Sequence, residues 1–214
     1  MTELKNIDFW KSVLEDSPES YKKWFSEEKK LLQETITKDS LVLDIGCGNG
    51  RSINDFINIT TNIVGIDHDD IAVTDAKKNF KDYPNVKILK ADARKLPFEN
   101  DAFDFVICMG TFANFGDYRK QALLEMKRVL KKDGKIIISS YSEDAFEERM
   151  TLYKKEKAPI KEIKGTTVYF DEEVGDNMSE QFSKEQLQKI FAEVGLDIAD
   201  IKKAGIGYIC KLKK

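Results

Sequence analysis

The chain contains one histidine, His68, and three cysteines, Cys47, Cys108 and Cys210, in 214 residues. Odd in number and far apart, the thiols give neither a disulfide framework nor paired metal-ligand spacing, and a lone imidazole leaves no zinc site to expect. The N-terminal stretch MTELKNIDFWKS mixes acids with apolar residues and has no continuous apolar run, so neither a signal peptide nor a membrane anchor is indicated. A cytoplasmic protein is the resulting expectation. Charge of one sign does not dominate either: the net charge is -3, which provides no global field toward nucleic acid or an anionic membrane. Two local basic runs, Lys127 to Lys135 and Lys154 to Lys164, read as solvated surface. No repeat or low-complexity tract is visible, and monomer and homodimer both stay open. With 41% hydrophobic and 34% charged residues, the composition is that of a folded chain, and the length suits one domain over 1–214.

What is present is an alternation. Short apolar runs occur at 41–45 (LVLDI), 62–67 (NIVGID), 86–92 (VKILKAD), 103–109 (FDFVICM) and 135–141 (KIIISSY), separated by segments of helical periodicity. This predicts an α/β, doubly wound fold whose mostly parallel sheet is covered by helices on both faces. Tyr21, Trp24, Phe25, Leu31 and Leu32 predict a helix over 19–35, within an N-terminal helical cap over 1–37. Leu123, Met126, Val129 and Leu130 predict another, stopped by Asp133-Gly134. Ser183 and Gln186 form a capping box before a last helix closed by Gly195. Two final strands, near 197–203 and 207–212, are too close for a crossover, so the seven-stranded sheet should end in an antiparallel hairpin. Residues 142–182 break the alternation, with a charged helical piece over 143–157 and a short strand at 167–170. Long insertions are more often functional than idle, and this one is expected to cap the sheet's carboxyl edge.

The first strand ends in Asp44, and Gly46, Gly48 and Gly50 alternate through the following turn. Glycine lets a ligand lie against the main chain and allows backbone angles closed to other residues. A dinucleotide fingerprint would place a third glycine where Arg51 stands. The segment DIGCGNG instead resembles motif I of the class I S-adenosylmethionine-dependent methyltransferases. The resemblance runs by motif from about residue 38 to 141 and by order of elements to the C-terminus.

That resemblance implies S-adenosylmethionine as cofactor and S-adenosylhomocysteine as product. It puts Asp44, Gly46, Cys47, Gly48 and Gly50 in the cofactor turn and Asp67 on the ribose hydroxyls. His68 falls where a residue commonly packs on the adenine face, Asp92 and Ala93 at the adenine edge, and Met109 beside the cofactor at the end of the fourth strand. The acceptor side falls on 108–115 (CMGTFANF), with Phe112, Asn114, Phe115 and Tyr141 at the sheet's carboxyl edge and Tyr21 closing over them. This segment lacks the N/D-P-P-Y/F signature of amide and exocyclic-amine enzymes. Cys108 lacks the neighbouring proline of cytosine-C5 enzymes and reads as a core thiol. No acid between Cys108 and Gly116 supports a magnesium site, and no histidine base is at hand. No catalytic base is therefore assigned. The leading expectation is a small-molecule acceptor already nucleophilic near neutral pH: an amine, a thiol or a carboxylate. Methylation of a protein side chain or RNA, or a cofactor-binding regulatory protein without transfer, remain alternatives.

Overall fold

The computed structural model describes residues 17–171 and 178–214. The expectations placed on 1–16, and on part of the insertion at 172–177, lie outside the described residues. Helix α1 (Glu19–Thr35) buries Tyr21, Trp24, Glu28 and Leu32, one stripe at helical spacing. Then come β1 (Leu41–Ile45), α2 (Arg51–Phe56), β2 (Asn62–Asp67), α3 (Asp70–Asn79), β3 (Val86–Lys90) and β4 (Phe103–Met109). Two short 3-10 turns, Thr111–Asn114 and Gly116–Tyr118, lead into α4 (Arg119–Val129) and β5 (Leu130–Tyr141). The insertion holds α5 (Phe146–Lys155), β6 (Ile160–Lys164), β7 (Thr167–Phe170) and β8 (Met178–Ser179). The chain ends with α6 (Lys184–Glu193), β9 (Asp197–Ala204) and β10 (Gly207–Lys213).

The main sheet has seven strands in the order β3-β2-β1-β4-β5-β10-β9. Strands β1 to β5 pair in parallel, while β10 is antiparallel to both β5 and β9, as the short link at Gly205 requires. Each face has its own core. One gathers Tyr21, Trp24, Val42, Ile53, Ile107, Ile137 and Tyr141. The other gathers Leu43, Ile45, Val106, Phe112, Ile138, Leu187 and Phe191. Alternate residues of each strand point to opposite faces, so the central strands read as continuous apolar runs because both faces are buried. Each fully buried aliphatic contributes about 1.5 to 3 kcal/mol. Among the described residues no helix is long and apolar enough to cross a membrane.

Two expectations are corrected. Helix α4 stops at Val129, and Leu130 is already extended, so Asp133-Gly134 is not the helix stop. Gly134 instead sits within β5 where the β4 register shifts, and a side chain there would lie 2.9 Å from the Asp104 carbonyl. The insertion also forms a second sheet, β6-β7-β8, where only the strand at 167–170 was foreseen. Alternating Lys and Glu in β6 (IKEIK), exposed along most of its length, hid it from an apolar-pattern reading.

Candidate cofactor and acceptor site

The turn after β1 is built from backbone hydrogen bonds. The amides of Gly46 and Cys47 both donate to the Ile66 carbonyl at 2.9 Å, which folds the turn against β2. Gly50 has φ +94° and its missing side chain leaves room for the Phe80 ring, which a Cβ would meet at 2.0 Å. Gly48, at φ +55°, has nothing within 4 Å of where a Cβ would stand. Gly50 is therefore glycine for packing, whereas Gly48 leaves open space. The Gly48 amide donates to Asp67 Oδ2 at 2.9 Å, and the Asp69 amide donates to Asp67 Oδ1 at 3.0 Å. Held at both oxygens, the Asp67 side chain keeps 11% exposure toward the cleft. Asp69, not Asp67, caps α3 by accepting from the Ile71 and Ala72 amides.

Beneath the turn, Asp44 is fully buried and accepts from Ser52 Oγ at 2.5 Å. Burial pushes its carboxyl up to about 7, against the lowering effects of the Ser52 hydrogen bond and the Arg51 charge. Arg51 pairs with the buried Glu28 of α1 at 2.8 Å and lies over the Phe25 ring at 4.5 Å. The residue that breaks the dinucleotide pattern thus fastens the glycine turn to the N-terminal helix.

A cleft of about 350 Å³ opens at the carboxyl ends of β1, β2 and β4, where open α/β sheets bind ligands. Of the residues singled out from sequence, Gly46, Asp67, His68, Asp92, Ala93, Asn114 and Phe115 line it. His68 Nδ1 stands 3.5 Å from Asp67 Oδ1. Asp92 is gripped by Arg94, whose Nη2 donates at 2.6 Å and whose Nε donates at 2.9 Å, and this hydrogen bonding holds the Asp92 carboxyl below its ordinary range. Arg94 in turn lies over Tyr118 at 5.5 Å.

Other residues fall elsewhere. Asp44 lies below the turn, and the side chains of Cys47 and Met109 belong to the buried core. Burial pushes the Cys47 thiol far up, and the Cys210 thiol up to about 12, so neither is a reactive thiolate. Cys108 is fully buried, as expected of a core thiol. Phe112 needs correction as an acceptor-facing residue: it is fully buried among Phe115, Phe182 and Phe191, because the 3-10 turn points it into the core while Asn114 and Phe115 reach the cleft. Tyr21 and Tyr141 meet each other edge-on at 6.1 Å and pack with Trp24 on the other face of the sheet.

Sequence reasoning missed Thr111, Arg94 and Tyr118. Thr111 Oγ1 donates to the Gly46 carbonyl at 3.0 Å, joining the β4 edge to the glycine turn. A polar residue one position past Gly110, in an otherwise apolar segment, was the available signal. Arg94 stood two residues from a named acid, and Tyr118 followed the aromatic segment directly.

A carboxylate held at a strand tip beside an open glycine backbone suits a nucleoside carrying adjacent hydroxyls, since each carboxylate oxygen retains acceptor capacity. The residues present therefore fit the cofactor that motif I implies. Among known proteins, residues 43–138 match a family described as a methyltransferase domain. The chain is 34% identical over 154 residues to the uncharacterized protein MJ1123 of Methanocaldococcus jannaschii, covering 69% of this chain and 70% of that one. It is 31% identical over 149 residues to demethylmenaquinone methyltransferase of Staphylococcus aureus, covering 66% of this chain and 60% of that enzyme, short of two thirds of its length. A crystal structure of a SAM-dependent methyltransferase from Aquifex aeolicus covers 87% of this chain and 88% of its own, with TM-score 0.64 at 21% identity, a likeness of fold. Residues 43–138 thus carry a methyltransferase domain, and sheet order and glycine turn give the chain the Rossmann-like fold seen in S-adenosylmethionine-dependent methyltransferases.

Proposed function

We propose that the enzyme methylates a small-molecule acceptor at nitrogen, sulfur or a carboxylate oxygen by in-line transfer. The observation that carries this reading is the acceptor-side lining: Thr111, Asn114, Phe115 and Tyr118 bring hydroxyl, amide and aromatic groups and no carboxylate, imidazole or amine. Without a strong base there, the acceptor must already be nucleophilic near neutral pH.

Asp67 would hold the ribose hydroxyls, Gly48 would leave room for the cofactor along the turn, and Asp92 with the Ala93 amide would hold the adenine edge beside His68. Bound S-adenosylmethionine supplies a methyl on a sulfonium whose leaving group needs no proton, so alignment and water exclusion carry much of the rate. The Asn114 amide would orient the acceptor, and Phe115 and Tyr118 would exclude water. Burial pushes the pKa values of Tyr21 and Tyr141 upward, so both phenols stay protonated and act as donors rather than bases. We read 1–214 as one methyltransferase domain, with 1–37 and 142–182 as its caps. Several contacts support the second cap: the Glu180 amide donates to the Ala113 carbonyl at 2.9 Å, Met178 packs at Gly116, and Arg119 pairs with Glu180. The name of the Staphylococcus relative, a demethylmenaquinone methyltransferase, agrees with a small-molecule acceptor.

The test is S-adenosylhomocysteine formation across a panel of amines, thiols and carboxylic acids, at low and high salt. Turnover of a small acceptor with little salt dependence is expected. Turnover of RNA alone, falling steeply with salt, would overturn the reading.

A further inference from the structure

Four residues that line the cleft follow the order of the strands that carry them. Asp92 lies just past β3, Asp67 ends β2, Gly46 follows β1 and Thr111 follows β4, and these strands stand side by side as β3-β2-β1-β4. A ligand with its adenine at Asp92 and its ribose at Asp67 therefore runs along the carboxyl edge of the sheet. Whatever it carries beyond the ribose lies over Gly46 and Thr111. In S-adenosylmethionine that remainder is the sulfur with its amino-acid tail.

At this point the glycine turn and the acceptor segment touch. The Thr111 hydroxyl donates to the Gly46 carbonyl at 3.0 Å. A Cβ on Gly46 would collide with the Thr111 side chain, 2.5 Å from its Oγ1, so the bare Cα is what lets the two segments meet. Gly46 is thus held on both sides, since its amide donates to the Ile66 carbonyl of β2 at 2.9 Å. Thr111 is held in turn. The Gly110 amide before it donates to the Ser139 carbonyl of β5 at 3.2 Å and to the Ser139 hydroxyl at 2.9 Å, and Thr111 opens the 3-10 turn that ends at Asn114. A hydrogen-bonded path therefore crosses the carboxyl edge from β5 to β2. The Thr111 hydroxyl is its link between the turn and the acceptor segment.

Resting on the methyltransferase reading, we propose that Thr111 is a positioning residue for methyl transfer. Its hydroxyl fixes the Gly46 carbonyl, and with it the part of the turn that the cofactor's tail crosses, so the sulfur is held at a set distance from Asn114. In-line transfer depends on such alignment. Adenine and ribose, assigned to Asp92 and Asp67 beside β3 and β2, do not depend on this link. Packing alone would be served by valine as well as by threonine. The hydroxyl is what separates the two, because valine leaves the Gly46 carbonyl without this donor.

The full chain is titrated by calorimetry with S-adenosylhomocysteine and with methylthioadenosine, which has adenine, ribose and sulfur but no amino-acid tail; the weaker ligand is measured by displacement. Thr111→Val should lower S-adenosylhomocysteine affinity roughly three- to tenfold, the scale of one neutral hydrogen bond, and change methylthioadenosine affinity by less than about twofold. Thr111→Ser, which keeps the donor, should restore S-adenosylhomocysteine binding to within about twofold of the parent. Melting curves accompany the titrations, and Thr111→Ala carries the same expectation as Thr111→Val if the valine variant does not fold. Unchanged S-adenosylhomocysteine affinity without the hydroxyl would overturn the proposal. So would an equal loss of both ligands, which marks a general loosening of the turn, or a serine variant as weak as the valine one. Failure of the underlying reading is separate: the unsubstituted chain would bind neither ligand.

Discussion

The Gly48 amide donates to the Asp67 carboxylate across 2.9 Å, joining the turn after β1 to the tip of β2. The turn and the acid therefore act as one unit. Asp67→Ala should weaken S-adenosylhomocysteine binding by roughly 1.5 to 3 kcal/mol, the scale of hydrogen bonds to a charged group. Calorimetry measures the affinity and a melting curve confirms that the variant is folded; unchanged affinity in a folded variant refutes the assignment.

Gly48 and Gly50 should separate on substitution. Gly48→Ala meets no atom and suffers only its positive φ, a stability cost of roughly 1 to 2 kcal/mol, but its side chain enters the open space proposed to take the cofactor. Gly50→Ala collides with Phe80 and should lose the fold first. Chemical denaturation and cofactor titration of both variants, side by side, check this order.

Arg51→Ala leaves Glu28 charged and buried without its partner. The expected loss is about 3 to 5 kcal/mol in urea unfolding. Arg51→Ala together with Glu28→Gln should recover part of it, and a loss below about 1 kcal/mol for Arg51→Ala would show the pair to be no more than a surface contact.

Asp44 gives a pH dependence whose sign follows from burial. Folding raises its pKa from the ordinary carboxylate range to about 7, so the folded state favours the protonated acid. That contribution is complete below pH 4 or so and is lost as pH rises through about 7. Asp44→Asn should therefore gain stability relative to the parent between pH 5 and 8, on the order of 2 to 4 kcal/mol. A constant difference across that range contradicts the shift.

At the edge proposed for adenine, Arg94 occupies Asp92 in a largely exposed pair. Asp92→Ala should weaken cofactor binding while Arg94→Ala does not, since the second substitution frees the acid. Equal weakening by both, read by the same titration, would move the ligand contact to Arg94.

The sheet was legible because its central strands are buried on both faces and so appear as unbroken apolar runs, with LVLDI and FDFVICM matching β1 and β4. The Ser183–Gln186 capping box was legible from local chemistry. The glycine turn was legible from spacing, though not the division between a packing role at Gly50 and open space at Gly48. Phe112 was misplaced because a 3-10 turn has neither period that sequence patterns reveal. The burial of Arg149 in α5 was invisible for a different reason: FEERMTLYKK reads as a charged surface helix, and only the β6-β8 sheet folding over it buries the cation.

The most direct measurement is calorimetric titration of the purified chain with S-adenosylmethionine, S-adenosylhomocysteine and NAD(P). The account predicts one site for the two adenosyl sulfur ligands, weakened by Asp67→Ala, and no NAD(P) binding. Binding of NAD(P) without S-adenosylmethionine would contradict it.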